Sequence, residues 1–290
     1  MSTPPISNVS DTARWAAVYR ARESARPDAL FKDPYAEQLA GERGRAIAAL
    51  MPRQARNGWP LIARTQLLDD LVLQAIVGGC DCVLNLAAGL DMRPYRLDLP
   101  ASLRWIEADL PPLIDEKARL LANAQPRCRL ERVRVDLIDA AARVAMLREA
   151  VGSSTQALVI TEGFLLYLDE GEVRALAADL AAEAGIRWWL LDLASPEILK
   201  MMHRRMGAQL ANAPMKFAPP NGVAYFEALG WQVDSVQSLL HAAARFRRLP
   251  WLFRIFAHLP ETDPRNLGRA RWSGVVELRR SRTQFTPART

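Results

Sequence analysis

The architecture is written most clearly in Cys82-Val83-Leu84-Asn85-Leu86-Ala87-Ala88-Gly89-Leu90-Asp91-Met92-Arg93. Residues 82–86 form a short, mostly apolar run, the pattern of a buried strand. It leads directly into three small residues, which let the backbone turn tightly and approach a ligand closely. Alone, this is only a degenerate relative of the GxGxxG turn, and a plain strand-to-helix turn would read the same. The acids downstream separate the two readings. Glu107 and Asp109 come 18 and 20 residues after Gly89. They close a second run, 103–108, where a carboxylate can accept hydrogen bonds from both ribose hydroxyls of a nucleotide. Asp136 closes a third run, 129–135. There a carboxylate can accept from an adenine amino group while the backbone of Leu137 meets the ring edge. Glu162 closes a fourth run, 157–161. Single acids at strand ends are common as helix caps, but successive ones along one sheet edge point to a nucleoside-shaped cofactor.

Outward from these runs the pattern turns helical at 113–122, at 140–151, and at Val173, Leu176, Ala177 and Leu180. Residues 187–193, with Trp188 and Trp189, predict a fifth strand. Residues 231–236 and 275–279 predict two more, around a long, basic, proline-interrupted insertion. Upstream, 11–26 and a short piece from Asp33-Pro34-Tyr35 predict helices, and 51–60 a loop. Residues 64–77 predict a helix with Leu67, Leu68, Leu71, Val72, Ala75 and Ile76 on one stripe. Such alternation implies a mostly parallel sheet with helices on both faces, and ligands of such sheets bind beyond the carboxyl ends of the strands. One α/β domain over residues 1–290 is the economical reading. Residues 1–60 form an N-terminal helical lid, 61–195 a cofactor-binding core, and 196–290 a substrate lid insertion and the last strands.

Composition narrows the class. Of 290 residues, 50% are hydrophobic and 24% charged, which is ordinary for a globular protein and unlike a disordered or collagen-like chain. No apolar run reaches the ~20 residues of a membrane span, and the N-terminus lacks a basic-then-apolar signal pattern. A soluble, cytoplasmic protein is expected, with no membrane partner. The three cysteines (Cys80, Cys82, Cys128) argue against a disulfide framework, and neither they nor His203, His241 and His258 have metal-ligand spacing. The net charge is +6, and residues 245–290 alone hold eleven arginines against three acids. No zinc, helix-turn-helix or RNA motif accompanies this excess, so no nucleic-acid partner is expected. It reads as a solvated face or as a basic rim that attracts an anionic substrate. Within it, the aromatic-rich stretch 245–258 reads as an amphipathic covering helix, or else as a docking or pocket-covering segment.

The segment Leu86-Ala87-Ala88-Gly89-Leu90-Asp91-Met92-Arg93-Pro94-Tyr95-Arg96-Leu97, then Trp105-Ile106-Glu107-Ala108-Asp109-Leu110-Pro111, resembles the leucine carboxyl methyltransferase family. That family includes the tetracenomycin-type polyketide O-methyltransferases and many bacterial S-adenosylmethionine-dependent enzymes. Thr161-Glu162-Gly163-Phe164-Leu165-Leu166-Tyr167-Leu168 is similar to its next signature. Asp28-Ala29-Leu30-Phe31-Lys32-Asp33-Pro34-Tyr35-Ala36 is similar to an earlier one, after a stretch carrying Arg20, Arg22 and Glu23. Four motifs in the family's order span roughly residues 10–195. The resemblance implies a class I methyltransferase (Rossmann-like) fold, with a seven-stranded, mostly parallel sheet whose last strand is antiparallel, and S-adenosyl-L-methionine as cofactor. It further implies that Arg64 pairs with the methionine carboxylate of the cofactor, and that Ala87 and Gly89 pass beneath its methionine and ribose. Asp109, with Glu107 as the other option, would hold the ribose hydroxyls. Asp136 and Leu137 would read the adenine, and Glu162 would face the methionine amino group. The chain departs from the family at Ala87, where Gly is common, and at Met92, where Thr is usual. The phosphatase-directed branch also carries a lysine near the position of Ala13, which weakens transfer of its protein-carboxyl substrate.

Methyl transfer from a sulfonium is an in-line displacement, so the protein mainly aligns the acceptor and excludes water. A carboxylate acceptor is already ionised at neutral pH, whereas a phenol needs a base or a local field. No histidine stands at a motif position, which favours the carboxylate of a small, anionic, polyketide-like molecule; a hydroxyl, or a protein C-terminal carboxyl, comes second. Tyr19, Arg20 and Tyr167 are positioning candidates by location, although packing or surface is the more ordinary reading of each. Two other classes stay open. An NAD- or flavin-linked oxidoreductase calls for a fuller GxGxxG and a catalytic His, Tyr-Lys or Cys. A non-catalytic module with this fold would be signalled by loss of Arg64 or the strand-end acids.

Overall fold

In chain order, the helices of the computed structural model are α1 (Val9–Ser24), α2 (Ala36–Leu50), α3 (Trp59–Val77), α4 (Arg93–Arg96), α5 (Pro111–Leu120), α6 (Ala140–Val151), α7 (Glu170–Ala182), α8 (Pro196–Met206), α9 (Ala224–Glu227) and α10 (Leu239–Arg245). The strands are β1 (Cys82–Leu86), β2 (Arg104–Asp109), β3 (Arg129–Arg134), β4 (Ala157–Thr161), β5 (Ile186–Ala194), β6 (Trp231–Ser238) and β7 (Ser273–Arg280). The structure describes residue 6 and residues 9–52, 56–207 and 209–280. All seven strands join one sheet in the order β3-β2-β1-β4-β5-β7-β6. Strands β1 to β5 pair in parallel, and β7 runs antiparallel to both β5 and β6. The last strand in the chain is therefore the reversed one, as expected.

Strands β1 and β4 are buried along their whole length, which is why they read as continuous apolar runs. Their alternate side chains feed two cores. Val83, Trp105, Leu158 and Leu190 meet the apolar stripe of α3 and the small residues of α10. Leu84, Ile106, Val159 and Trp189 meet α6 and α7 on the other face. A third core joins α1 and α2 to Leu90, Met92 and Tyr95 just beyond β1, and to Met206 and Leu210. The N-terminal helices thus cover the loop after β1, on the edge where a ligand is expected.

Two expectations need correction. The helix predicted to begin at residue 64 begins at Trp59. Pro60 sits in its first turn, where a missing N–H leaves no bond unmade, so Arg64 lies inside the helix instead of at its tip. Residues 53–55 of the predicted loop lie outside the described residues. The predicted covering helix over 245–258 does not form as one element. Helix α10 stops at Arg245, and a separate 3-10 run spans Trp251–His258 with no buried residue.

Candidate active site

The turn after β1 departs from ordinary right-handed backbone twice, at Ala87 (φ 54) and Gly89 (φ 51). A Cβ on Gly89 would stand 3.3 Å from the Cβ of Ala13 on α1, a tight contact that places that helix over the turn, and the positive φ itself favours glycine. Left-handed backbone costs an L-residue roughly 1–2 kcal/mol, offset in part by the extra unfolded-state freedom of glycine. Ala87→Gly is accordingly expected to stabilise the chain by about 0.5–1 kcal/mol. A urea titration reads this as a higher midpoint at unchanged slope; a lower midpoint would show that the left-handed geometry carries no strain.

Asp109 ends β2 beside this turn. One carboxylate oxygen accepts the Gly89 N–H and the other the Leu110 N–H, each at 2.7 Å. Burial pushes its carboxyl above the usual carboxylate range, and the two N–H donors work against that rise. Glu107, two residues earlier, is fully buried and already engaged. Lys117 reaches one of its oxygens at 2.7 Å and Arg132 the other at 3.0 Å. Of the two acids on this strand, Asp109 is the one that borders the turn.

At the ends of β4 and β5 the side chains form a charged cluster. Arg64 donates from Nε to Glu162 and from Nη1 to Asp192, both at 2.9 Å. Arg93 donates to Asp69 at 2.7 Å, to Asp91 at 2.9 Å and to the second oxygen of Glu162 at 2.8 Å. Arg96 closes on both oxygens of Asp69. Asp192 also accepts the Gly163 N–H, and a Cβ on Gly163 would sit 3.3 Å from the Arg64 guanidinium. Burial alone would push Glu162 and Asp91 up, yet the arginines beside them hold both below the usual carboxylate range. Three arginines face four carboxylates here, an excess of one negative charge, which suits a ligand of net positive charge.

The remaining residues singled out from sequence fall in three settings. Asp136 is exposed and accepts the Ile138 N–H at 3.0 Å. Leu137 is buried, and its carbonyl accepts from Arg143 at 2.6 Å. Tyr19 is 1% exposed, with its hydroxyl accepting from the Trp15 ring N–H at 3.1 Å. Arg20 ties α1 to the site by donating to Asp33 at 2.9 Å and to the Leu90 carbonyl at 2.6 Å. Tyr167 bonds Thr12 of α1, and burial raises its phenol above the ordinary value. No histidine makes a side-chain hydrogen bond to any of these groups among the described residues.

Sequence patterning assigned no role to Asp69, Asp91, Arg93 or Asp192. A signal existed for two of them. Asp69 interrupts the apolar stripe of 64–77, and Asp192 interrupts the run 187–193; an acid inside a buried pattern needs a partner.

A turn of small residues, with acids at successive strand ends of a sheet in this order, defines a class I methyltransferase. The chain belongs to the leucine carboxyl methyltransferase family, whose family model matches residues 13–181. A Frankia alni protein named as an S-adenosyl-L-methionine-dependent methyltransferase is 31% identical over 255 residues, covering 84% of this chain and 89% of its own. A similarly named Mycolicibacterium smegmatis protein is 33% identical, covering 78% and 84%. Among solved structures, a Thermobifida fusca protein described as a methyltransferase superposes with a TM-score of 0.60 at 16% identity, covering 95% of this chain and 96% of its own. A DUF574 family protein from Streptomyces avermitilis gives 0.56 at 14% identity, covering 93% and 97%. The chain is an S-adenosylmethionine-dependent methyltransferase, which removes the oxidoreductase reading.

Proposed function

We propose that the chain methylates the carboxylate oxygen of a small, anionic acceptor. The bound cofactor supplies a methyl group activated on a sulfonium, and the chain's own residues bind and align. Asp109 accepts from the ribose hydroxyls, and the turn at Ala87 and Gly89 runs beneath the methionine and ribose of the cofactor. Asp136 and Leu137 frame the adenine. Arg64 keeps Nη2 without a hydrogen-bond partner among the described residues, available for a carboxylate. Glu162 and the excess negative charge of the cluster favour the methionine amino group. Residues 1–60 and the insertion that precedes the last strands within 196–290 serve as the lid around this core, with Tyr19, Arg20 and Tyr167 as the positioning residues beneath it. Reduced, buried cysteines at 80, 82 and 128 fit a reducing, cytoplasmic compartment.

The observation that carries the carboxylate reading is the state of the ionisable groups. The site carboxylates are paired or hydrogen-bonded, Tyr167 is bonded to Thr12 with its phenol raised by burial, and no histidine among the described residues joins them. Such a site lacks a ready base, so an acceptor that arrives ionised suits it. Transfer of a labelled methyl group to panels of carboxylic acids and phenols tests this. The expected product loses its label as volatile methanol in mild alkali, and its rate is flat from about pH 6 to 9 for an acceptor with a pKa of about 4. An alkali-stable ether, with a rate that climbs toward the phenol pKa of about 10, would overturn the reading. Turnover of either kind also excludes the non-catalytic module.

A further inference from the structure

Six large apolar side chains between residues 251 and 259 face solvent. They are Trp251 (76% exposed), Leu252 (61%), Phe253 (37%), Ile255 (69%), Phe256 (48%) and Leu259 (56%). The other exposed large apolar residues among those described, Leu50, Val77, Leu110 and Ile138, are scattered singly. Isolated apolar side chains on a surface are ordinary, whereas a contiguous group of this size marks a contact site.

The base of the segment is firmly held while its tip is bare. Leu249 is buried in the core beneath α10. Arg248 grips both oxygens of Glu23 at the end of α1 and also reaches Asp28. Beyond Pro250 nothing in the 3-10 run is buried. Charge identifies the occupant. From residue 235 to 263 there are four arginines and two histidines against two acids, Asp263 and Glu261, and Glu261 pairs with His241. Of the four, Arg248 alone is salt-bridged among the described residues. Two copies meeting through this face would bring like charges together, which disfavours self-association. Tryptophan, phenylalanine and aliphatic tips beside guanidinium groups that make no salt bridge among the described residues are instead the composition of a segment that lies in a lipid interface. There the apolar side chains enter the acyl boundary and the arginines meet phosphates. No described helix is long and apolar enough to cross a membrane, so the contact is peripheral.

We propose that the 251–259 protrusion docks the enzyme on an anionic lipid surface. Because Arg248 joins the protrusion to α1, and Arg20 of α1 meets the Leu90 carbonyl, docking sets the helical cover of the methyl-transfer site beside the bilayer. The full chain is incubated with vesicles of phosphatidylcholine alone or mixed equally with phosphatidylglycerol, and sedimented. Wild type is expected to sediment with the anionic vesicles at least tenfold more strongly than with the neutral ones. Trp251→Ser with Phe256→Ser, and separately Arg247→Gln with Arg254→Gln, are each expected to lower that binding at least tenfold. Circular dichroism and cofactor affinity should stay unchanged, since all four side chains are exposed and none belongs to the proposed cofactor-binding set. Equal binding to both vesicles, no binding to either, or variants that bind like wild type would overturn the proposal. So would a concentration-dependent dimer in sedimentation velocity that the apolar variant abolishes, because the face would then pair copies of the chain.

Discussion

Arg93→Leu is expected to destabilise the chain by about 3–5 kcal/mol at pH 7, the cost of leaving buried charges without a partner. Arg93 is 1% exposed and joins Asp69, Asp91 and Glu162. Its removal leaves two arginines facing four carboxylates in a region that water scarcely reaches. The pH dependence distinguishes this from lost packing. In the wild type Asp91 and Glu162 titrate below their unfolded values because burial is outweighed by the neighbouring arginines. Their contribution is therefore fully present above about pH 4 and is lost as pH falls through the lowered folded values. Without Arg93 the same carboxyls lose the strongest of the charges that hold them down, and burial moves their titration upward from the wild-type values. The variant then gains relative stability as pH falls and these groups protonate. Urea denaturation at pH 7 and pH 4 should show the gap between wild type and variant shrinking at the lower pH. A gap that stays constant would mean that Arg93 acts through its packing alone.

Asp109→Ala is expected to weaken S-adenosylhomocysteine binding about 10- to 100-fold, roughly 1.4–2.7 kcal/mol. A charged acceptor contributes more than a neutral one, and the proposed role gives this carboxylate two ribose hydroxyls. The effect on folding should be smaller. The Gly89 and Leu110 N–H groups lose their acceptor, which destabilises, but a carboxylate that burial pushes up is also removed. Titration calorimetry beside a thermal melt separates the two quantities. Unchanged affinity would place the ribose elsewhere on the sheet edge and undo the assignment of Asp109.

Much of the fold was legible in the chain because strand periodicity and strand-end position are local properties. The alternation of apolar runs and helical segments marked all seven strands. The acids at 109, 136 and 162 were readable because each follows directly on a strand-like run, at the carboxyl edge of the sheet. Arg64 entered through the family resemblance, and the structure moved it five residues into a helix. The helix start was misread because Pro60 looked like a loop residue, although proline is at home in a first helical turn.

The succession of strands and helices and the places of the strand-end acids thus come from sequence alone, since they depend on pattern and on residues near in the chain. The pairing of charges does not. Arg64 meets Asp192 across 128 positions and Arg93 meets Glu162 across 69, and only the packing of α3 and α4 against β4 and β5 selects those partners. The same holds for the apolar segment near residue 255. Its composition was plain, but an apolar run says nothing about what covers it, and only the tertiary structure left it bare.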